Sequence, residues 1–188
     1  ITGPNASGKT TFIKAVLLNL LFSQQIGFGF CSKGTVTPFE FIHSYINIPD
    51  TIDRDSLFQA EARRCKKILD IIKKNINQKH FCIFDELYSG TNPYEAVSNG
   101  TAYLKYINSK KNIKFLITTH YSKICNLFRS DSNIDNIFMK TYFRNGHMKY
   151  TYKIEKGISK IKGGVCVLRQ LKYPKKIIKD SQKIIRGL

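Results

Sequence analysis

Residues 3–11 read Gly-Pro-Asn-Ala-Ser-Gly-Lys-Thr-Thr. The run fits the pattern G-x-x-x-x-G-K-[ST], in which glycines let backbone N–H groups curl around phosphate oxygens at a helix N-terminus. On this reading Gly3, Pro4, Asn5, Ala6, Ser7, Gly8, Lys9, Thr10 and Thr11 form a nucleotide cradle. Lys9 reaches the β- and γ-phosphates of ATP, and the Thr10 hydroxyl ligates Mg²⁺. The pattern needs a helix directly after it. Phe12, Ile13, Val16, Leu17, Leu20 and Leu21 supply one apolar face over residues 10–24. It also needs a strand before it, and only Ile1 and Thr2 precede the motif. Because residue 1 is not Met, the chain reads as an N-terminally incomplete fragment of a longer protein, with residues 1–188 forming one domain.

A phosphate loop of this kind requires a second acid at the end of a neighbouring buried strand. Phe81, Cys82, Ile83 and Phe84 form an apolar run that ends in two carboxylates, Asp85 and Glu86. Asp85 would hold the hydration shell of Mg²⁺, and Glu86 would polarise the attacking water as general base. A third element follows the apolar run Ile113 to Thr118, where His120 is placed to meet the γ-phosphate and that water.

The remaining elements read as alternating strands and helices, which implies an α/β layered domain. Gly27 to Pro49 is a glycine- and aromatic-bearing loop with short strands. Residues 56–76 form a long helix with Phe58, Ala62, Cys65, Ile68, Leu69 and Ile72 on one side, capped by Ser56. A helix runs over 93–107, with Asn92 as cap, Pro93 at the first turn and Glu95 placed as in a capping box. Tyr121 to Phe128 is a short helix. Two strands, 134–143 and 148–154, flank Asn145-Gly146, a hairpin signal. Two C-terminal helices are split by Pro174.

The chain has 31 Lys and Arg against 13 Asp and Glu, a formal net charge of +18. That balance suits either a polyanionic partner or the Lys, Ile and Asn bias of an A/T-rich genome. The lysines at 66, 67, 73 and 74 read as a solvated helix face. The cluster Lys172, Lys175, Lys176, Lys179 and Lys183 reads as soluble surface in preference to a DNA contact. The five cysteines lack CxxC spacing, which argues against zinc. Cys82 and Cys166 lie in apolar runs, as buried thiols of a reducing, intracellular compartment do. No apolar stretch is long enough to span a bilayer.

In combination these motifs resemble the ATPase domain of MutS-type DNA mismatch-recognition proteins, a branch of the ABC-type ATPases. The likeness rests on residues 3–11, on Gln25-Ile26-Gly27-Phe28-Gly29, and on Ser56, Phe58 and Glu61. It continues through Asp85-Glu86 to Glu95-Ala96, Thr119-His120-Tyr121, Gly157-Ile158-Ser159, Gly164-Val165, Leu171 to Pro174, and Ile178. The resemblance implies an α/β P-loop NTPase of ABC/MutS type, with a mostly parallel sheet flanked by helices, a late β-hairpin and C-terminal helices. It implies DNA-dependent ATP hydrolysis with ATP and Mg²⁺ as ligands. The implied assembly is a homodimer or heterodimer of MutS-like subunits, in which Ser56 acts in trans on the partner's nucleotide and Gly90-Thr91 lies at the interface. DNA would be held mainly by domains absent here, and no membrane is involved. Tyr152 matches the family's adenine-facing position and equally suits a packed sheet tyrosine.

The chain also departs from the family pattern. Arg54-Asp55 stands where many members have Gly-Arg, which sets a negative charge beside the phosphate site. Asn92-Pro93 replaces the usual Ser-Thr. Phe39-Glu40-Phe41 is spaced unlike the family's mismatch-reading Phe-x-Glu and reads as ordinary packing. The competing reading is an ATP-switched DNA-binding clamp of recombination or genome maintenance, with little hydrolysis and no mismatch reading. A transporter subunit would need an L-S-G-G-Q-like signature, and a small-molecule kinase would not need Glu86 with His120.

Overall fold

A computed structural model describes residues 1–46, 48, 56–144, 147–161 and 163–187. The element order is α1 (Lys9–Ile26), β1 (Phe41–Tyr45), α2 (Leu57–Lys74), β2 (His80–Asp85), α3 (Pro93–Asn108) and β3 (Ile113–Thr118). There follow α4 (Ser122–Leu127), β4 (Ile137–Arg144), β5 (His147–Lys156), α5 (Gly164–Gln170) and α6 (Lys175–Gly187). Arg54-Asp55 and the Asn145-Gly146 turn lie outside the described residues, although Arg144 pairs with His147 on either side of that turn.

β1, β2 and β3 pair in parallel in that order, and β4 pairs with β5 antiparallel. The centre of the parallel sheet is β2, and its side chains explain the apolar run in the sequence. Phe81 and Ile83 face one cluster with Ile1, Ile13, Leu20 and Met139, beneath α1. Cys82 and Phe84 face the other with Tyr45, Cys65, Ile68, Ile72 and Leu104, beneath α2 and α3. A strand covered on both faces reads as continuously hydrophobic, not alternating. Phe84 has no exposed surface, and truncating such a ring to Ala costs about 3–5 kcal/mol.

Ile1 and Thr2 supply the strand the glycine motif requires. The Ile1 amine donates to Ile117 O at 2.6 Å, and Thr119 N donates to Ile1 O at 3.0 Å. On the other side Thr2 N donates to Ile137 O and Met139 N to Thr2 O, each at 2.9 Å. Two residues thus bridge the parallel sheet to the hairpin. One expectation needs correction: β3 stands between this short strand and β2, so the two acids end a strand one place removed and not the neighbouring one.

Helix ends agree with local chemistry. Ser56 and Gln59 form a full capping box on α2. Asn92 accepts from Tyr94 N and Glu95 N at the start of α3. Glu95 does not complete a capping box there, because its carboxylate accepts from the Thr91 hydroxyl instead. Phe39, Glu40 and Phe41 are packing residues as expected: Phe39 meets Phe81, Glu40 accepts from Lys79 N, and Phe41 stacks on His80. Cys65, Cys82, Cys125 and Cys166 are buried and Cys31 is exposed. The basic residues at 66, 67, 73, 74, 172, 175, 176, 179 and 183 are all exposed. Among the described residues no helix is long and apolar enough to cross a membrane.

Candidate active site

The glycine loop leaves the Ile1–Thr2 strand and turns into α1 through three left-handed residues. Gly3, Ala6 and Gly8 have φ of 153°, 63° and 96°, a region where glycine carries no Cβ penalty. Space also constrains them. A Cβ on Gly3 would meet Ser7 Oγ at 2.7 Å, and one on Gly8 would meet the Tyr152 ring at 3.2 Å. Gly27, at the other end of α1, is its left-handed C-cap (φ 79°).

Lys9 folds back under this loop. Its side chain is only 5% exposed, and Nζ donates to Gly3 O at 3.0 Å and more weakly to Pro4 O at 3.4 Å. Burial pushes the ammonium's pKa down, and the carboxylates of Glu86 and Asp85 partly restore it. Thr10 Oγ1 donates to Asp85 at 2.9 Å. From β3, Thr118 Oγ1 donates to the same carboxylate at 2.5 Å, as the Asp85↔Thr118 register requires. Glu86 N donates to both Thr118 O and Thr118 Oγ1 at 3.1 Å. Glu86 Oε1 lies 3.8 Å from Lys9 Nζ, and Oε2 lies 3.7 Å from His120 Nδ1. At these separations the contacts are electrostatic rather than hydrogen bonds. His120 beside Glu86, then Lys9, hold its carboxyl below the usual carboxylate range against the opposing effect of burial.

An open cleft of about 650 Å³ runs along this surface, lined by Gly8, Lys9, Thr10, Asp85, Glu86 and Tyr152, with Glu61 and Ser89 also on its lining. Tyr152 is 67% exposed with φ 56°, so it is not a packed sheet tyrosine; it rests over Gly8. The loop, Lys9, Thr10, Asp85, Glu86 and His120 come together as expected. Ser56 does not join them within this chain: it is exposed and its hydroxyl accepts from Gln59 N.

The residues present fit a magnesium nucleotide. Ser7 Oγ is buried in the loop with no hydrogen-bond partner among the described residues, which leaves a polar atom for a ligand oxygen. One hydroxyl and one carboxylate, Thr10 and Asp85, suit a cation that keeps most of its waters and takes few protein ligands.

The roles of several residues escaped the sequence reading. Thr118 orients Asp85 and fixes Glu86, and only strand register reveals it. Glu61, matched to the family pattern without a role, is 2% exposed and accepts from Ser89 N, Ser89 Oγ and Gly90 N at 3.0–3.1 Å. Tyr45 Oη accepts from Tyr88 N at 3.3 Å. Ser159 N donates to Thr2 Oγ1 at 2.8 Å and ties the tail to the loop's strand. Glu86 and Tyr88 are themselves left-handed, with φ 53° and 57°, a backbone state that costs about 1 kcal/mol or more per residue.

A parallel sheet covered by helices on both faces, with a glycine loop entering a helix beside two strand-end acids, defines a layered α/β domain with a preformed polar cleft. The family model for MutS domain V matches residues 1–188, and the chain belongs to that family. Similar proteins include the DNA mismatch repair protein MutS of Persephonella marina, 28% identical over 98% of this chain and 21% of the relative. The DNA mismatch repair proteins MutS of Macrococcus caseolyticus and of a Geobacillus species are 28% and 26% identical, covering 98% and 100% of this chain and 22% of each relative. The chain thus spans about a fifth of the length of the curated relatives it matches.

Proposed function

We propose that this domain binds ATP with Mg²⁺ and hydrolyses it as the ATPase module of a MutS-like mismatch repair protein. The observation that carries the reading is the convergence of Lys9 and Thr10 from one segment with Asp85 and Glu86 from another on one cleft, with His120 from a third segment 3.7 Å from Glu86.

The loop's N–H groups and the α1 N-terminus would receive the phosphates. Lys9 would exchange its carbonyl contacts for phosphate oxygens, a small movement for a flexible ammonium. Thr10 and Asp85 would hold Mg²⁺, which when bound neutralises charge on the phosphate oxygens. Glu86, ionised at neutral pH, would orient the attacking water and accept its proton. His120 would sit beside Glu86 toward the γ-phosphate. Tyr152 would face the base across the cleft. Ser56, at the start of α2, would meet the partner's nucleotide in a homodimer or heterodimer, its helix dipole favouring phosphate. Hydrolysis would then drive DNA-holding parts of the protein outside this chain.

The decisive variant is Glu86→Gln. We expect ATP affinity to stay within about threefold while steady hydrolysis falls at least about a hundred-fold, the usual scale for losing a general base. Unchanged turnover would remove Glu86 from the chemistry.

A further inference from the structure

The segment that follows the two acids is held by other elements at almost every N–H. Glu86 N is taken by Thr118 of β3, Tyr88 N by Tyr45 of β1, and Ser89 N and Gly90 N by Glu61 of α2. Gly90 is the point of closest approach. A Cβ there would lie 2.7 Å from Leu57 Cγ and 2.8 Å from Phe58 N, so this turn sits directly on the first turn of α2. Left-handed residues such as Glu86 and Tyr88 persist where their surroundings over-determine them. The α2 contribution to that clamp is one side chain, the Glu61 carboxylate, which uses both oxygens. Its charge is also felt at Tyr45, whose phenol is pushed up first by burial and then by Glu61.

We propose that Glu61 is a positioning residue for hydrolysis: by holding the Ser89–Gly90 turn on α2, it fixes the backbone that aims Glu86 into the cleft. The inference rests on the assignment of Glu86 as the water-orienting base. Glu61→Gln would leave one acceptor and turn an NH₂ group toward a backbone N–H. The turn would loosen and Glu86 would lose its aim, while Lys9, Thr10 and the glycine loop would stay as they are. Mis-aiming a catalytic group by a fraction of an ångström to one ångström lowers rates by about ten- to a hundred-fold.

The test uses the full-length protein and compares Glu61→Gln, Glu61→Asp and Glu86→Gln. ATP affinity, single-turnover hydrolysis, thermal midpoint and amide exchange at residues 88–90 are measured for each. For Glu61→Gln we expect affinity within about threefold, single-turnover hydrolysis down about ten- to a hundred-fold, and faster exchange at Ser89 and Gly90. The double variant with Glu86→Gln should fall no further than Glu86→Gln alone, since the two act through one group. If Glu86→Gln is inactive but Glu61→Gln turns over normally, the positioning role is overturned and the base assignment stands. If Glu86→Gln keeps its turnover, both fall. Should Glu61→Gln fail to fold, Glu61→Asp, which keeps the charge on a shorter arm, decides. A selective loss of hydrolysis with unchanged affinity supports the role. Affinity and rate falling together with the folded fraction overturns it.

Discussion

The two walls of the cleft are built in opposite ways. On the acid side, Lys9 is 5% exposed, Asp85 takes hydrogen bonds from two threonines, and the chain after Glu86 is pinned by three elements. On the hairpin side, Tyr152 stands 67% exposed beside Gly8. Preorganised groups act on developing charge without reorganising, which suits the wall assigned to chemistry. An open aromatic can adapt to what stacks on it, which suits the wall assigned to recognition. The contrast predicts that changes on the acid wall are large and specific, and that changes on the hairpin wall are small and graded.

The largest effect should come from Lys9→Met. Losing a buried, charge-assisted donor is worth about 1.5–3 kcal/mol, so ATP affinity measured by equilibrium binding should weaken about ten- to a hundred-fold. Burial already opposes this ammonium, so the apo protein's thermal midpoint should hold or rise; a clear fall would mean Lys9 is structural and would blur the contrast. Next is His43, at the far end of the sheet from both walls. His43 Nε2 lies 3.0 Å from His80 Nδ1, with Arg64 nearby and Phe41 stacked on both rings. Burial, then the charges of His80 and Arg64, hold His43 down to about 4. A base whose folded pKa is depressed leaves stability intact above its unfolded value of about 6.5 and removes it as pH falls toward 4, by up to about 3 kcal/mol. His43→Gln should flatten that acid limb in denaturant titrations; an unchanged limb would assign the acid sensitivity elsewhere. Gly90→Ala should cost about 1–3 kcal/mol through its collision with Leu57 and Phe58, read as a midpoint lowered by several degrees. The smallest effect is Tyr152→Ala, about 1 kcal/mol or roughly fivefold in ATP affinity with hydrolysis per bound ATP unchanged. A hundred-fold loss there would put both walls on an equal footing.

The elements were legible where local chemistry decides them. Residues 113–118 stand as a strand over the span read from the sequence, and Ser56 and Asn92 cap the helices they were expected to cap. Short strands were expected within Gly27–Pro49, but the place of β1 was not, because Phe41-Ile-His-Ser-Tyr45 shows no clean alternation and its strand character comes from pairing with β2. The motif residues of the site were likewise readable, since spacing along one segment carries them. The roles of Thr118, Tyr45 and Glu61 were not, because each acts across elements and only register and packing bring it to the acids. Glu95 shows the converse: the spacing of a capping box was present, but a nearer hydroxyl at Thr91 claimed the carboxylate.

The long helix α2 is laced to β2 at both extremities. Near its start Glu61 grips the turn that follows the strand, and at its end Asn75 O meets the His80 ring, at the strand's first residue, at 2.9 Å. Eighteen residues make a rod about 27 Å long. Tied at both ends to one strand, this helix couples the position of its capped tip to that of the strand carrying the two acids.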